Sequence, residues 1–169
     1  MYFISVFDGV FKIDESSNSP KIVPVYLRSN FYSAFLDNEN LHLSNEGFIE
    51  KINIQELLHK NFKLVQFGNS IIHQYAKVQD SIIFAAADGV YNPDGGLYTI
   101  GNNKMINVSN QFGIDSKKIL NVVYDKLRNV LYVGSNDKGI YEIRLDATIK
   151  YEDFQNLSIV DFEFLDQSK

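Results

Sequence analysis

Three histidines are the first residues in this sequence that could carry acid–base or metal chemistry. They are His42, His59 and His73, and none has a second ligand at a metal-binding spacing such as HExxH. His42 alternates with Leu41 and Leu43, which is typical of an ordinary strand residue. The sequence also has no GxSxG elbow, P-loop or GxGxxG fingerprint. We therefore predict no catalytic residue, no metal site and no cofactor.

Carboxylates and amides in turns offer a second kind of chemistry. Asn92, Asp94 and Asp137 lie in glycine-containing turns, where their oxygens suit either Ca²⁺ or the turn's own N–H groups. The turn-closing role is favoured. Asp161 and Glu163 lie two residues apart on one predicted strand and therefore share a face. Glycosidases use paired carboxylates, but solvent exposure explains this pair more simply.

Tyrosines offer a third kind of chemistry, since their rings can stack on a sugar. The candidates recur along the predicted strands and are Tyr75, Tyr91, Tyr98, Tyr132 and Tyr141. Aromatic residues with this spacing also pack between sheets, and packing is the favoured interpretation. The sequence therefore assigns no individual ligand-binding residue.

Composition limits the class of partner. The chain of 169 residues has a net charge of -5 and no basic cluster, which argues against nucleic acid as a partner. No apolar run approaches the roughly 20 residues of a membrane span, and the N-terminus lacks the basic region of a signal peptide. With 0 Cys, disulfides and thiolate chemistry are excluded. A globular chain with no membrane segment is expected.

The elements that would position these residues repeat along the chain. A polar residue and a glycine followed by apolar residues occur four times, as Asp8-Gly9-Val10-Phe11, Glu46-Gly47-Phe48-Ile49, Asp88-Gly89-Val90-Tyr91 and Lys138-Gly139-Ile140-Tyr141. The glycines are 38, 42 and 50 residues apart. A second phrase in the third unit, Gly96-Leu97-Tyr98, changes the last two intervals to 49 and 43. Glycine supplies the positive φ that tight hairpins require.

A second series of turns, each with an aspartate, precedes the glycine turns. The aspartates are Asp37, Asp80, Asp125 and Asp166, at intervals of 43, 45 and 41 residues. Each unit is therefore interpreted as four short strands. In the last full unit these strands are Ile119–Tyr124, Val130–Ser135, Ile140–Leu145 and roughly Ile149–Phe154.

Four strands in every 40 to 50 residues, roughly, are typical of a β-propeller blade. We predict an all-β chain that forms one β-propeller domain, or a propeller fragment, of about four four-stranded blades. The predicted repeat units are residues 1–29, 30–68, 69–112 and 113–156. Residues 157–169 are predicted to be the first strand of a further blade or of a ring-closing blade. The first unit supplies second and third strands without a first strand, so the chain is either an open arc or a small ring closed by its terminal strands.

The fourth unit resembles the two-component regulator propeller repeat. The residues that carry the resemblance are Gly113, Ile119, Asp125, Tyr132, the pair Gly134-Ser135 and the phrase Gly139-Ile140-Tyr141. Two positions depart from the family pattern, because the family usually has Trp at the place of Tyr132 and often Thr at that of Ser135. Looser matches extend over nearly the whole chain.

The resemblance implies a role in bacterial signalling. Such repeats build sensor propellers of hybrid histidine kinases and related regulators, typically periplasmic and often responsive to carbohydrate. We therefore expect a non-enzymatic recognition module for a small molecule, a glycan or a protein partner, placed outside the cytoplasm, although a cytoplasmic location stays open. Two alternatives also stay open, a polysaccharide lyase or hydrolase and a protein-interaction scaffold. A homodimer would cover the ends of an open arc.

Overall fold

The computed structural model describes residues 2–5, 9–16, 19–26, 31–45, 48–55, 62–66, 71–79, 82–89, 94–101, 104–144, 148–151, 157–159 and 162. The prediction of an all-β chain is confirmed, since these residues form fifteen strands in four antiparallel sheets. Helical residues in the described ranges form only short 3-10 turns, such as Asn110–Phe112. Nowhere in those ranges does a helix reach the length and apolar character needed to cross a bilayer.

The first two sheets are antiparallel meanders of consecutive strands. The first sheet has the order β1-β2-β3, and its strands are β1 (Tyr2–Ser5), β2 (Gly9–Asp14) and β3 (Lys21–Tyr26). The second sheet has the order β4-β5-β6-β7, and its strands are β4 (Ser33–Asp37), β5 (Asn40–Asn45), β6 (Phe48–Asn53) and β7 (Phe62–Gln66).

The last two sheets have the same order of four consecutive strands. The third sheet consists of β8 (Ile71–Val78), β9 (Ile82–Asp88), β10 (Gly96–Gly101) and β11 (Lys104–Asn107). The fourth sheet consists of β12 (Ile119–Asp125), β13 (Val130–Ser135), β14 (Ile140–Ile143) and β15 (Thr148–Tyr151). The four strands predicted from the sequence here therefore lie where expected, and the predicted ends at Leu145 and Phe154 lie outside the described residues.

Glycines with positive φ lie at the start of three strands, since Gly9 and Gly96 are the first residues of β2 and β10 and Gly139 directly precedes β14. Gly9, Gly96 and Gly139 have φ values of 118°, 139° and 77°, a region that side chains with a Cβ rarely adopt. In the third unit Gly96, not Gly89, leads directly into β10, so the phrase Gly96-Leu97-Tyr98 is the structural counterpart of the others. Asp8, Glu46, Gly47, Asp80, Val90, Tyr91 and Asp166 of the predicted turns lie outside the described residues.

A β-bulge occurs at the same place in the third and fourth sheets. Ile72 and Ile119 pair with Ala87 and Ser135, and the register then shifts before the next pair on each first strand. The residue after each shift, Gln74 or Asn121, therefore occupies an equivalent position, which Ser33 occupies in the second sheet. A bulge re-aims the side chains that follow it.

These equivalent polar residues bond to the sheet that follows. Ser33 Oγ donates to Ile72 O over 2.7 Å, and Gln74 Oε1 accepts a hydrogen bond from Val122 N over 3.1 Å. Asn121 Nδ2 donates to Ile159 O over 2.9 Å. Since each acceptor or donor is backbone of a first strand or of residues 157–159, one kind of contact recurs from sheet to sheet.

Three apolar cores lie between consecutive sheets. The core between the first and second sheets contains Val10, Phe31, Leu41, Leu43 and Ile52. The core between the second and third contains Ile49, Ile72, Tyr75, Ile83, Ala85, Ala87 and Tyr98. The core between the third and fourth contains Ala76, Phe84, Ala86, Leu97, Val108, Ile114, Ile119, Val122, Leu131, Val133, Tyr141 and Ile143. Neighbouring sheets thus bury their facing surfaces against each other, as stacked repeats do.

Candidate functional site

The segment that joins the third sheet to the fourth is built into the core at its start. Ser109 Oγ accepts a hydrogen bond from Leu97 N over 2.9 Å, and Ser109 O accepts one from Ile114 N over 2.9 Å. Gly113 ends the intervening 3-10 turn with a φ of 63°. Val108 and Ile114 on either side of this turn are buried. These contacts fix the position of the chain directly before residues 115–118.

Residues 115–118 run between the loop after β9 and the loop after β13. Lys117 O accepts a hydrogen bond from Gly89 N over 2.9 Å, and Lys118 O accepts one from Asn136 N over 2.8 Å. A Cβ on Gly95 would lie 1.8 Å from Lys117 O, so this close approach needs glycine. We call residues 88–89, 94–95, 115–118 and 136–139 the loop end of the third and fourth sheets. Backbone hydrogen bonds thus join residues 115–118 to Gly89 on one side and to Asn136 on the other.

Side-chain hydrogen bonds orient the carboxylates of the loop end. Ser116 Oγ donates to Asp137 Oδ1 over 2.5 Å and accepts from Lys118 N over 3.0 Å. Tyr141 donates its hydroxyl proton to Asp115, and Lys150 Nζ lies 3.0 Å from Asp115 Oδ2. The Tyr141 hydroxyl, with Lys150, holds the pKa of Asp115 below its usual value, whereas burial raises the pKa of Tyr141. Asp115 therefore stays ionised and is a poor general acid.

A histidine and a carboxylate meet at the inner border of the loop end. His73 Nε2 lies 3.7 Å from Asp88 Oδ2, and Asp88 is buried at the end of β9. Burial lowers the pKa of His73, and the neighbouring Asp88 opposes that shift. Asp88 also pairs across an isolated bridge with Lys118. The neutral imidazole of His73 can both donate and accept a hydrogen bond.

The sequence-predicted site residues are only partly brought together. Asp137 lies in the loop end, where its carboxylate accepts a hydrogen bond from Ser116 of a different segment, so this contact is not the predicted closure of its own turn. Asp94 also lies there, where its carbonyl accepts the Tyr98 hydroxyl. His42 lies away from the loop end, on β5, as predicted for a strand residue, and is buried. His59, Asn92, Asp161 and Glu163 lie outside the described residues.

The packing interpretation is confirmed for three of the tyrosines. Tyr75, Tyr98 and Tyr141 are buried in the cores between sheets. Tyr132 is half-buried, with its ring centroid 6.3 Å from that of Phe162. Tyr91 lies outside the described residues. None of the three buried rings is presented to a ligand, so sugar stacking is not their role.

Sequence reasoning missed Asp88, Asp115 and Ser116 as members of one cluster. These residues come from the end of one strand and from a connection nearly thirty residues later. Their only sequence signal is position, because each directly precedes or follows a turn between predicted strands. Such positions converge at one end of a sheet, which is where recognition residues commonly lie.

Within the described ranges, no three His, Asp or Glu side chains are arranged to hold a metal ion. No protein-family model matches the chain, and no curated protein matches it either.

Proposed function

We propose that the chain forms a β-propeller, or an arc of one, and serves as a non-enzymatic recognition module. The observation that carries the architecture is the repeated contact from Ser33, Gln74 and Asn121 to the backbone that follows. In each case a polar side chain at the same position of a first strand bonds to the backbone of the next segment. Similar contacts at successive sheets support an arrangement by rotation about a common axis. Propeller blades stack in this way around a channel.

The ligand is proposed to bind at the loop end of the third and fourth sheets. Loops on a rigid scaffold commonly carry recognition residues. The loop end presents both signs of charge, with Lys117 exposed and Asp137 half-buried, and the neutral His73 at its border adds a further donor and acceptor. A neutral ligand with many hydroxyl groups can use such donors and acceptors together, whereas a strongly charged ligand would be repelled by one sign. We therefore propose a glycan as the ligand.

Recognition without catalysis is favoured by the state of the carboxylates. A glycosidase needs one carboxyl whose pKa is raised so that it can protonate the leaving group. The pKa of Asp115 is lowered instead, and its oxygens are engaged by Tyr141 and Lys150. The sensor role and the location outside the cytoplasm stay predictions from the resemblance.

The test is a titration of the ¹⁵N-labelled chain with neutral gluco-, xylo- and manno-oligosaccharides, followed by NMR. We expect one series to shift the amide signals of residues 115–118 and 136–139. Lys117→Ala should weaken that binding at least tenfold, because a surface donor is lost while the Lys117 carbonyl contact remains. Lys126→Ala is the matched control, since Lys126 is exposed in the turn at the opposite end of the sheet.

Three results would contradict the proposal. These are no shift with any oligosaccharide, shifts confined to the opposite end of the sheets, and the appearance of sugar signals from a cleaved product. The last result would favour the enzyme alternative.

A further inference from the structure

Residues 157–159 and Phe162 lie on the fourth sheet as a first strand of a following sheet would lie. Ile159 N donates to Ser135 O over 3.0 Å, and Ile159 O accepts from Asn121 Nδ2. Ile72 O receives a similar bond from Ser33 between the second and third sheets. A Cβ on Gly134 would lie 2.7 Å from Ile159 Cγ2, so the absent side chain makes room for Ile159. These contacts place residues 157–159 where the first strand of a following sheet would lie.

The first sheet has the complementary shape. Its β1–β2 register pairs Ser5 with Gly9, which matches the hydrogen bond from Ser135 N to Gly139 O between β13 and β14. The strands β1, β2 and β3 therefore correspond to the second, third and fourth strands of the other sheets. In the described part of the chain, no strand occupies the first position of this sheet.

The two end faces leave apolar side chains exposed. Val10 packs toward the second sheet, so alternation along β2 places Ile13 on the opposite face, and Ile22 pairs with Ile13 there. Ile22 is 66% exposed. On the fourth sheet, Ile149 pairs with Glu142 on the face away from the third sheet and is 41% exposed. The chain's own fold leaves these two side chains uncovered.

We propose that a second copy of this chain covers both faces by associating head to tail. The outer face of the fourth sheet in one copy, with residues 157–159 and Phe162, packs against the outer face of the first sheet in the other copy. The added segment lies beside β1 and completes the first sheet as a four-stranded sheet. A second identical contact closes the pair into a ring of eight sheets, within the range of about four to eight or slightly more that such rings use.

Molar mass in solution, from light scattering after size exclusion, is the first test. We expect twice the chain mass of 19.4 kDa over a hundredfold range of concentration. Ile22→Glu should give a single chain, because it places a charge in the contact. Leu127→Glu is the matched control, since Leu127 is 99% exposed in a turn at neither end face, and it should keep the mass of two chains.

Mixing two variants tests the head-to-tail arrangement. Ile22→Glu blocks only the first sheet, and Ile149→Lys blocks only the fourth, so each variant alone should be a single chain. An equimolar mixture should recover the mass of two chains, because one copy still offers an intact first sheet and the other an intact fourth sheet. Circular dichroism of each variant shows whether it is folded, and either folded variant alone can decide the outcome of the first test.

Several results would overturn the proposal. A wild-type mass of one chain at every concentration would mean that the chain closes on itself or stands alone. A mass of two chains that survives Ile22→Glu or Ile149→Lys would place the contact elsewhere, and a mass above two chains would exclude the closed pair. Variants that are single chains alone and stay so when mixed would contradict the head-to-tail geometry.

Discussion

Between the second and third sheets, His42 and Ser44 face the neighbouring sheet from β5, beside Phe35. Between the third and fourth sheets, Phe84 and Ala86 face the neighbour from the equivalent positions of β9. The registers establish the equivalence, because Ser33 pairs with Ser44 and Gln74 pairs with Ala86. One interface therefore mixes polar and apolar groups where the other is apolar.

The two interfaces are expected to differ in how they respond to the loss of side-chain volume. The apolar interface is packed with buried apolar side chains, so volume lost there is expected to leave a cavity. The polar interface holds His42, whose Nε2 has no hydrogen-bond partner in the part of the chain that the structure describes, together with two serine hydroxyls on one carbonyl. Such a site can admit a water molecule when space appears. We expect the polar interface to tolerate loss of volume better and to respond to pH.

The largest expected effect is the loss of a buried side chain from the apolar interface. Leu97 and Ile49 are fully buried at equivalent places in β10 and β6 and face the apolar and polar interfaces respectively. Leu97→Ala should lower the free energy of unfolding by about 2–5 kcal/mol. Ile49→Ala should cost less, because water can enter the cavity that it leaves.

Urea denaturation followed by circular dichroism measures both changes. Leu127→Ala is the control for truncation of a leucine and should change the unfolding free energy by less than about 0.5 kcal/mol. An Ile49→Ala cost that exceeds the Leu97→Ala cost would contradict the comparison, because the polar interface would then be the less adaptable of the two.

The second effect is a loss of stability in mild acid. Burial, with the charge of Lys51, lowers the pKa of His42 from 6.5 to about 4, and Asp37 opposes the shift. Because the unfolded chain binds this proton more readily, the contribution is present above pH 6.5 and is lost as pH falls toward 4. We expect the unfolding free energy to fall by about 2 kcal/mol between pH 7 and pH 4.5 from this residue.

His42→Phe tests this effect by copying Phe84 into the polar interface. The variant should lose most of the dependence of unfolding free energy on pH in that window. A smaller dependence should remain from His73, whose pKa is also lowered by burial. His73→Gln is the matched control and should retain the larger part of the dependence of unfolding free energy on pH. A pH profile that His42→Phe leaves unchanged would mean that His42 is not held neutral.

The third effect concerns the hydrogen bonds that cross each interface. Gln74 Oε1 is the side-chain acceptor for Val122 N, which is buried, so Gln74→Ala should cost about 1–3 kcal/mol. Ser33→Ala should cost less than about 1 kcal/mol, since Ser44 Oγ still donates to Ile72 O over 2.8 Å. Chemical denaturation of the two variants measures both costs. Equal costs would mean that the two serines do not share one carbonyl acceptor.

The sequence predicts the strands of this fold better than the contacts between its sheets. Alternation located β12, β13 and β14 because period-2 patterns report burial of one face directly. It could not choose between the Gly89 and Gly96 phrases, since both have the composition of a strand start. Only the structure shows Gly96 at positive φ and leading into β10.

The polar contacts between sheets could not be predicted from the sequence, and the reason is physical. Ser33, Gln74 and Asn121 share a position but not a residue type, and a polar residue on a strand resembles a solvent-facing one. The bulge before Gln74 and Asn121 also breaks the alternation that would reveal their side. In the same way, His42 was correctly predicted as a strand residue, but its burial depends on a neighbouring sheet that local sequence does not encode.

The smallest effect separates the interfaces at their outer border, where a side-chain pair crosses each one. Lys77 Nζ lies 2.7 Å from Asp37 Oδ1 across the polar interface, and both side chains are partly exposed. Gln79 Nε2 lies 3.4 Å from Asn129 Oδ1 across the apolar interface.

Lys77→Met should lower the unfolding free energy by about 0.5–1 kcal/mol at low salt, and this loss should shrink in about 1 M NaCl because salt screens the pair. Gln79→Ala should change stability within about 0.5 kcal/mol at either salt concentration, since a long, exposed amide contact contributes little. Thermal unfolding of both variants at the two salt concentrations measures these changes in stability. A loss of stability in Lys77→Met that does not depend on salt would mean that the lysine acts by packing its stem against the sheet. The polar interface would then gain no stability from the charge at its border.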